Sequence, residues 1–276
     1  MIKYLIKIPI FKRLIPSIGI RLLKILKRNR GFFNINGFKM YLDFLDPIDR
    51  LIILNKAYEV EEINILTKLI NNNLSTKFID IGANCGFYSF HFAMQNLEVL
   101  AFEPNSEARL KMNNTISQNQ NLKDRIKVFP YGISNINSEM NMRSMVKHGY
   151  IQTGGSSITA DNVSENNKYK VYKEEFKIGD EILNLKRDNL AIKIDVEGHE
   201  LNALKGIQNL LKSNKCIIQI EVFEKNFNSV NSYLLERNFI LIDQFEQRSN
   251  YFYSNYWKLN YKFFWNIFLI YLCYSY

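Results

Sequence analysis

Apolar and polar residues alternate from Phe38 through Met40, Leu42 and Phe44, which predicts a strand. The spacing then becomes helical from about Glu59 to Ile70 and stops at the polar run 71–75. A strand-then-helix rhythm follows: strand 77–81, helix 86–95, strand 97–102, helix 106–119 and strand 126–131. After a polar stretch expected to be irregular, 134–170, the rhythm resumes. It predicts strand 189–194, helix 199–212, strand 216–222, helix 227–237 and strands near 239–245 and 250–257. Strands alternating with helices at this pitch imply an α/β fold with a mostly parallel sheet covered on both faces. The wholly apolar strand cores Phe78-Ile79, Val99 to Phe102 and Ile217-Ile218 fit strands buried on both sides.

Composition agrees with a folded chain: 276 residues, 47% hydrophobic and 23% charged, with 12 Gly and 5 Pro. Disorder, collagen and coiled coil are thereby excluded. Cys85, Cys216 and Cys273 are odd in number and lack metal-ligand spacing, so no structural zinc site or disulfide framework is expected and a cytoplasmic setting is.

The net charge of +9 changes meaning once it is divided along the chain. Residues 1–39 hold ten Lys or Arg and no acid, whereas the remainder carries 26 bases against 27 acids. Basicity therefore belongs to one terminal arm, and a nucleic-acid partner is not expected. Pro9 and Pro16 interrupt the arm, and its uncharged runs are too short to span a bilayer; it also lacks the apolar block and cleavage site of a secretory signal. After Ser17, Arg21, Lys24 and Arg28 share one helical face and Ile18, Leu22, Ile25 and Leu26 another. Two readings stand for this helix: packing on the protein's own domain, and peripheral contact with an anionic membrane surface. The uncharged aromatic tail from Phe263 is likewise either buried or interfacial. The expected organisation is an arm over 1–37, a catalytic domain over 38–258 and a tail over 259–276.

Chemistry is sought where open parallel sheets bind ligands, beyond the carboxyl ends of the strands. Three segments qualify. Asp80-Ile81-Gly82-Ala83-Asn84-Cys85-Gly86 runs from a strand through a glycine turn into a helix whose first N–H groups are free. Phe102-Glu103-Pro104-Asn105 ends the next strand, and a carboxylate there can accept from both hydroxyls of a ribose. Asp195-Val196-Glu197-Gly198-His199-Glu200 crowds three acids and a histidine after a buried strand, which costs desolvation unless the charges are paired or used. Glycine turns also serve NAD sites, so an NAD-dependent oxidoreductase and a membrane-surface protein with a vestigial nucleotide site are alternatives.

Taken together, Asp80 to Gly86, Phe102 to Asn105 and Ile192 to Glu200, followed by Leu204-Lys205-Gly206, resemble the FkbM family of S-adenosylmethionine-dependent methyltransferases. Tyr58-Glu59 and Gly155-Ser156-Ser157 are also similar to its pattern, and the resemblance spans about residues 35–245. It implies a Rossmann-like class I methyltransferase fold, a mostly parallel seven-stranded sheet with the last strand antiparallel and helices on both faces. It implies an O-methyltransferase acting on a hydroxyl of a saccharide or related small metabolite, with S-adenosyl-L-methionine as cofactor. Asp80, Gly82, Asn84 and Gly86 would surround the amino-acid part of the cofactor, Glu103 its ribose, and Tyr131 and Gly132 its adenine. Asn84 stands where a glycine is frequent, and Asn tolerates the left-handed backbone. A sugar hydroxyl is a weak nucleophile, so a base is needed, with Asp195 first, then Glu197 and His199. Glu221, ending the following strand, is either an ordinary strand-end acid or faces the same cleft, where it would share a metal with Asp195 if one were used, although no metal is expected. Lys193, among apolar strand neighbours, reads as structural.

Overall fold

The computed structural model of the chain describes residues 29–147, 150–159, 165–166, 168–245 and 248–256. The amphipathic helix after Ser17, His148 and the tail from Phe263 lie outside the described residues.

A hairpin of β1 (Arg30–Ile35) and β2 (Phe38–Asp43) leads into α1 (Pro47–Asn55) and α2 (Val60–Asn73). Then β3 (Lys77–Ile81), α3 (Phe87–Met94), β4 (Glu98–Phe102), α4 (Ser106–Ser117), a short α5 (Gln120–Lys123) and β5 (Ile126–Phe129) alternate. Next come β6 (Gly132–Ser134), β7 (Ser138–Lys147), β8 (Tyr150–Ile151), β9 (Ser157–Ile158) and β10 (Tyr169–Ile178). The chain returns through α6 (Gly179–Ile182), β11 (Asn189–Ile194), α7 (Glu200–Gly206), α8 (Gln208–Ser213) and β12 (Lys215–Glu221). It closes with α9 (Glu224–Leu235), β13 (Ile240–Phe245) and β14 (Asn250–Ser254).

Among the described residues the main sheet has seven strands in the order β13-β14-β12-β11-β3-β4-β5. β14 pairs antiparallel with β12 and β13, while the ladders from β12 to β5 are parallel. Successive strand residues feed opposite cores. Phe78, Ala101 and Ile217 join the side carrying α2, α3 and the hairpin, whereas Ile79, Phe102 and Ile218 join the side carrying α7 to α9. The strand order reverses between β3 and β11, so the ligand crevice is expected beyond their carboxyl ends.

Three elements depart from the sequence reading. The stretch expected to be irregular holds the long strands β7 and β10, paired antiparallel in a second sheet with β6, β8 and β9. Its inward positions include Ser144 and Tyr172, so hydrophobic alternation is weak and the strands were not visible. Arg30–Ile35, placed in the arm, is a strand, turned onto β2 by Asn36 and Gly37, both at positive φ (47° and 94°). Its partner's open edge is closed by α4, where Thr115 Oγ1 accepts from the Tyr41 N–H at 2.9 Å, and by Asn119 just beyond it, which bonds both Lys39 backbone groups. Finally, the helix expected over 199–212 is two, α7 and α8, meeting at Ile207, which belongs to neither helical run.

Candidate active site

The cleft at the strand reversal is lined by all three sequence motifs, by Ile48 of α1, by Tyr58 and Glu59 just before α2, and by residues of the second sheet. Gly82, just past β3, has φ of 87°, and its N–H donates to the Phe102 carbonyl at 2.9 Å. A Cβ at Gly82 would collide with the Asp195 carbonyl, so the glycine lets the β3 and β11 ends close on one another. Asn84 sits at φ of 49°, in the left-handed region its side chain tolerates.

Glu103, at the end of β4, is 6% exposed and fixed by two backbone donors. The Asn84 N–H reaches Oε2 at 2.7 Å and the Asn105 N–H reaches Oε1 at 2.7 Å. Burial nonetheless pushes its carboxyl up to about 7. Asp80 is buried, with Oδ2 accepting from the Ser89 hydroxyl at 2.7 Å and its pKa raised by burial against the pull of Lys193. The Oδ1 atoms of Asp80 and Asn84 are buried without a hydrogen-bond partner, polar atoms in the cleft wall that a ligand would satisfy. These groups could hold a nucleoside bearing an amino acid, Asp80 and Asn84 accepting from its ammonium and Glu103 from its ribose hydroxyls. Gly132 also lines the cleft, whereas Tyr131 packs on Phe129 (5.7 Å between centroids) beneath the Lys177 ammonium (4.7 Å) and is not among the lining residues.

The far end of the cleft is acidic. Asp195, whose N–H pairs with the Ile81 carbonyl, forms an ion pair through Oδ2 with Lys193 Nζ at 2.7 Å. Lys193 lies over the Tyr88 ring at 4.8 Å, and the Tyr88 hydroxyl donates to Glu59 Oε2 at 2.7 Å. Lys193 is thus part of the cleft rather than only of the strand; its neighbours Asp195, Glu59 and Asp80 hold its ammonium well above the ordinary range despite burial. Glu197, at φ of 51°, is pushed up to about 7 by burial and then by Asp195. Glu221 is pushed up to about 8 for the same two reasons. His199 has both ring nitrogens engaged, Nε2 with Ser134 Oγ at 2.9 Å and Nδ1 with Asn202 at 3.2 Å, and burial lowers it to about 4. Among the described residues no three His, Cys, Asp or Glu side chains converge as a metal site.

Contributions from the second sheet and α1 were missed as chemistry. Thr153 is held by Asp46, through its N–H at 3.0 Å and hydroxyl at 2.9 Å, and by Lys111 at 3.0 Å. Lys111 also pairs with Asp49 at 2.7 Å, all four residues being buried. This pins Gly154, Gly155 and Ser156 against the cleft.

A seven-stranded sheet of this order with a cleft at its reversal point is that of the class I methyltransferases, whose cofactor is S-adenosyl-L-methionine. A model of the methyltransferase FkbM domain matches residues 80–241. The chain belongs to the FkbM methyltransferase family, and the oxidoreductase alternative falls with that assignment. The FkbM methyltransferase of Methylobacillus flagellatus KT has 18% identity and a TM-score of 0.45, over 65% of this chain and 43% of that one. The tRNA (uracil-54, C5)-methyltransferase of Pyrococcus abyssi, solved with S-adenosyl-L-homocysteine, has 9% identity and a TM-score of 0.43, over 82% and 43%. An rRNA methylase of Streptococcus thermophilus has 14% identity and a TM-score of 0.41, over 72% and 97%. The chain spans less than half the length of the first two. No curated protein matches it significantly.

Proposed function

We propose that the chain is an S-adenosyl-L-methionine-dependent O-methyltransferase whose acceptor is a hydroxyl of a saccharide or a related uncharged metabolite. The observation that supports this reading is the make-up of the acceptor end: four carboxyl residues, Glu59, Asp195, Glu197 and Glu221, line it, and the lysine among its described lining residues, Lys193, is already paired with Asp195. A phosphodiester or carboxylate substrate would find no free cation there to neutralise it, and a neutral polyol would meet hydrogen-bonding carboxyl groups for its hydroxyls. The cofactor supplies a methyl group on a sulfonium, open to in-line attack. Asp195, held at Oδ2 by Lys193, takes the hydroxyl proton at its other oxygen. Glu197 and Glu221, with raised pKa values, carry protons near neutrality and hydrogen-bond the remaining hydroxyls.

The test is transfer of labelled methyl from S-adenosyl-L-methionine to a panel of neutral glycosides, acidic sugars, tRNA and rRNA. Label in a neutral glycoside is expected, and label confined to RNA or acidic sugars would overturn the reading. The cysteine pattern supports a cytoplasmic setting, and the basic segment 1–29, ahead of β1, supports peripheral contact with anionic membrane, since each Lys or Arg near such a surface contributes about 1 kcal/mol. No helix among the described residues is long and apolar enough to cross a membrane. Sedimentation with phosphatidylglycerol vesicles at low but not high salt is the expected outcome, and no sedimentation at low salt would remove the membrane role.

A further inference from the structure

Between the second sheet and the Glu103 loop runs a line of hydroxyl groups that the chemistry above does not use. The Asn105 amide nitrogen lies 2.7 Å from the Tyr172 hydroxyl, which lies 2.7 Å from Ser144 Oγ, itself 2.7 Å from Ser156 Oγ. Ser156 Oγ donates to the Thr153 carbonyl at 2.9 Å.

The direction of every bond follows from its ends. Asn105 Oδ1 accepts from the N–H groups of Glu107 and Ala108, capping α4, so its nitrogen is the group facing Tyr172. A serine hydroxyl has one proton, and that of Ser156 is committed to Thr153, so Ser156 accepts from Ser144. Ser144 must therefore accept from Tyr172, and Tyr172 from Asn105. The chain runs one way, each donor polarising the next, from the Asn105 amide to the Thr153 carbonyl. Both ends are anchored: Thr153 by Asp46 and Lys111, and Asn105 by the helix cap and by its own N–H on Glu103 Oε1. Asn105 and Ser144 are 3% and 0% exposed, so water offers no ready substitute.

We propose that Tyr172 is a positioning residue for cofactor binding: through Asn105 it fixes the loop that aims the Glu103 carboxylate into the cleft. The proposal rests on the reading of Glu103 as the ribose acceptor. It gives the second sheet a task in the cofactor site, since the strands β7 and β10 supply Ser144 and Tyr172 and hold them in register.

The experiment uses the full chain and S-adenosyl-L-homocysteine as probe, with affinity from titration calorimetry. Tyr172→Phe keeps the ring and removes the oxygen, leaving the Asn105 amide only the longer contacts to Ser156 (3.3 Å) and Ser144 (3.5 Å). Affinity should fall about fivefold, the size of one neutral hydrogen bond. Ser144→Ala breaks the same chain one link further on and should give a similar loss, which guards against a folding defect peculiar to one variant. The decisive comparison is made in a Glu103→Gln background, where Tyr172→Phe should add little because the group it positions is already disabled. Wild-type affinity in both Tyr172→Phe and Ser144→Ala overturns the proposal. So does a Tyr172→Phe loss that is undiminished in the Glu103→Gln background, the signature of general destabilisation. Wild-type affinity in Glu103→Gln alone overturns the ribose reading and the proposal with it, a result distinct from the other two.

Discussion

If Glu103 holds the cofactor's ribose as proposed, it binds against its own protonation, and this sets a measurable pH dependence. Burial pushes the carboxyl up to about 7, although it accepts two backbone N–H bonds at 2.7 Å. Two ribose hydroxyls would donate to it, and only the ionised form can accept both, so cofactor binding favours loss of the proton. The sign follows: affinity is reduced below the free-protein pKa and reaches its plateau above it. At about pH 5.5, roughly 1.5 units below that pKa, all but about 3% of molecules hold the proton, and affinity should be about 30-fold weaker than at about pH 8.5, or about 2 kcal/mol. Asp80, Glu197 and Glu221 face the same cleft and also carry raised pKa values, so the slope of the wild type alone does not identify the group. Glu103→Gln does, because it keeps the shape and cannot ionise. Calorimetric titration of both proteins with S-adenosyl-L-homocysteine across this range should show the variant at least tenfold weaker at the high end and nearly flat. The reasoning is refuted by a flat wild-type profile, or by a Glu103→Gln profile with the wild-type slope.

Two further outcomes follow from the same geometry. Asp195→Asn should leave S-adenosyl-L-homocysteine affinity nearly unchanged and lower methyl transfer to the glycoside acceptor by about 10²-fold, the size expected of a lost general base; full turnover would move that role to Glu197 or Glu221. Lys111→Met should destabilise the fold by about 3 to 5 kcal/mol in urea melts near pH 8, because it strands two buried carboxylates, Asp46 and Asp49. The loss should shrink toward about pH 5, since Asp49, already pushed up to about 6, then takes a proton and needs no cation; a loss below about 1 kcal/mol near pH 8 would contradict the pairing.

What was legible in the sequence shares one physical character: it is imposed by backbone geometry or by local periodicity. β3, β4, β11 and β12 were predicted nearly to the residue because strands buried on both faces are written as short unbroken apolar runs. The turn at Gly82 announced itself because a side chain there would strike the Asp195 carbonyl, a constraint satisfied by one residue type. The count of seven strands with the last antiparallel followed from the family resemblance, and the main sheet has that form.

What escaped is polar and partnered at long range. Asp46 and Thr153 are 107 positions apart, and Asn105 and Tyr172 are 67 apart, so no window of sequence contains the bond that gives either residue its meaning. Lys193 shows the same blindness within a predicted strand: alternation placed it correctly in β11, yet its role depends on Asp195 two residues on and on Tyr88 from another element. The second sheet combines both difficulties. Its inward face mixes Met142 and Phe176 with Ser144 and Tyr172, which with the neighbouring Ser156 satisfy one another, so its apolar stripe is interrupted. A segment that stores its order in hydrogen bonds can change residue types on its cleft-facing side without disturbing the main sheet. The hydrophobic cores of the domain are carried by β3, β4, β11, β12 and their helices. On the proposed reading, Met142, Ile158 and Phe176, which β7, β9 and β10 place in the cleft wall, would be where acceptor preference can vary, while Asp80, Gly82 and Glu103 would be constrained by the cofactor's fixed shape.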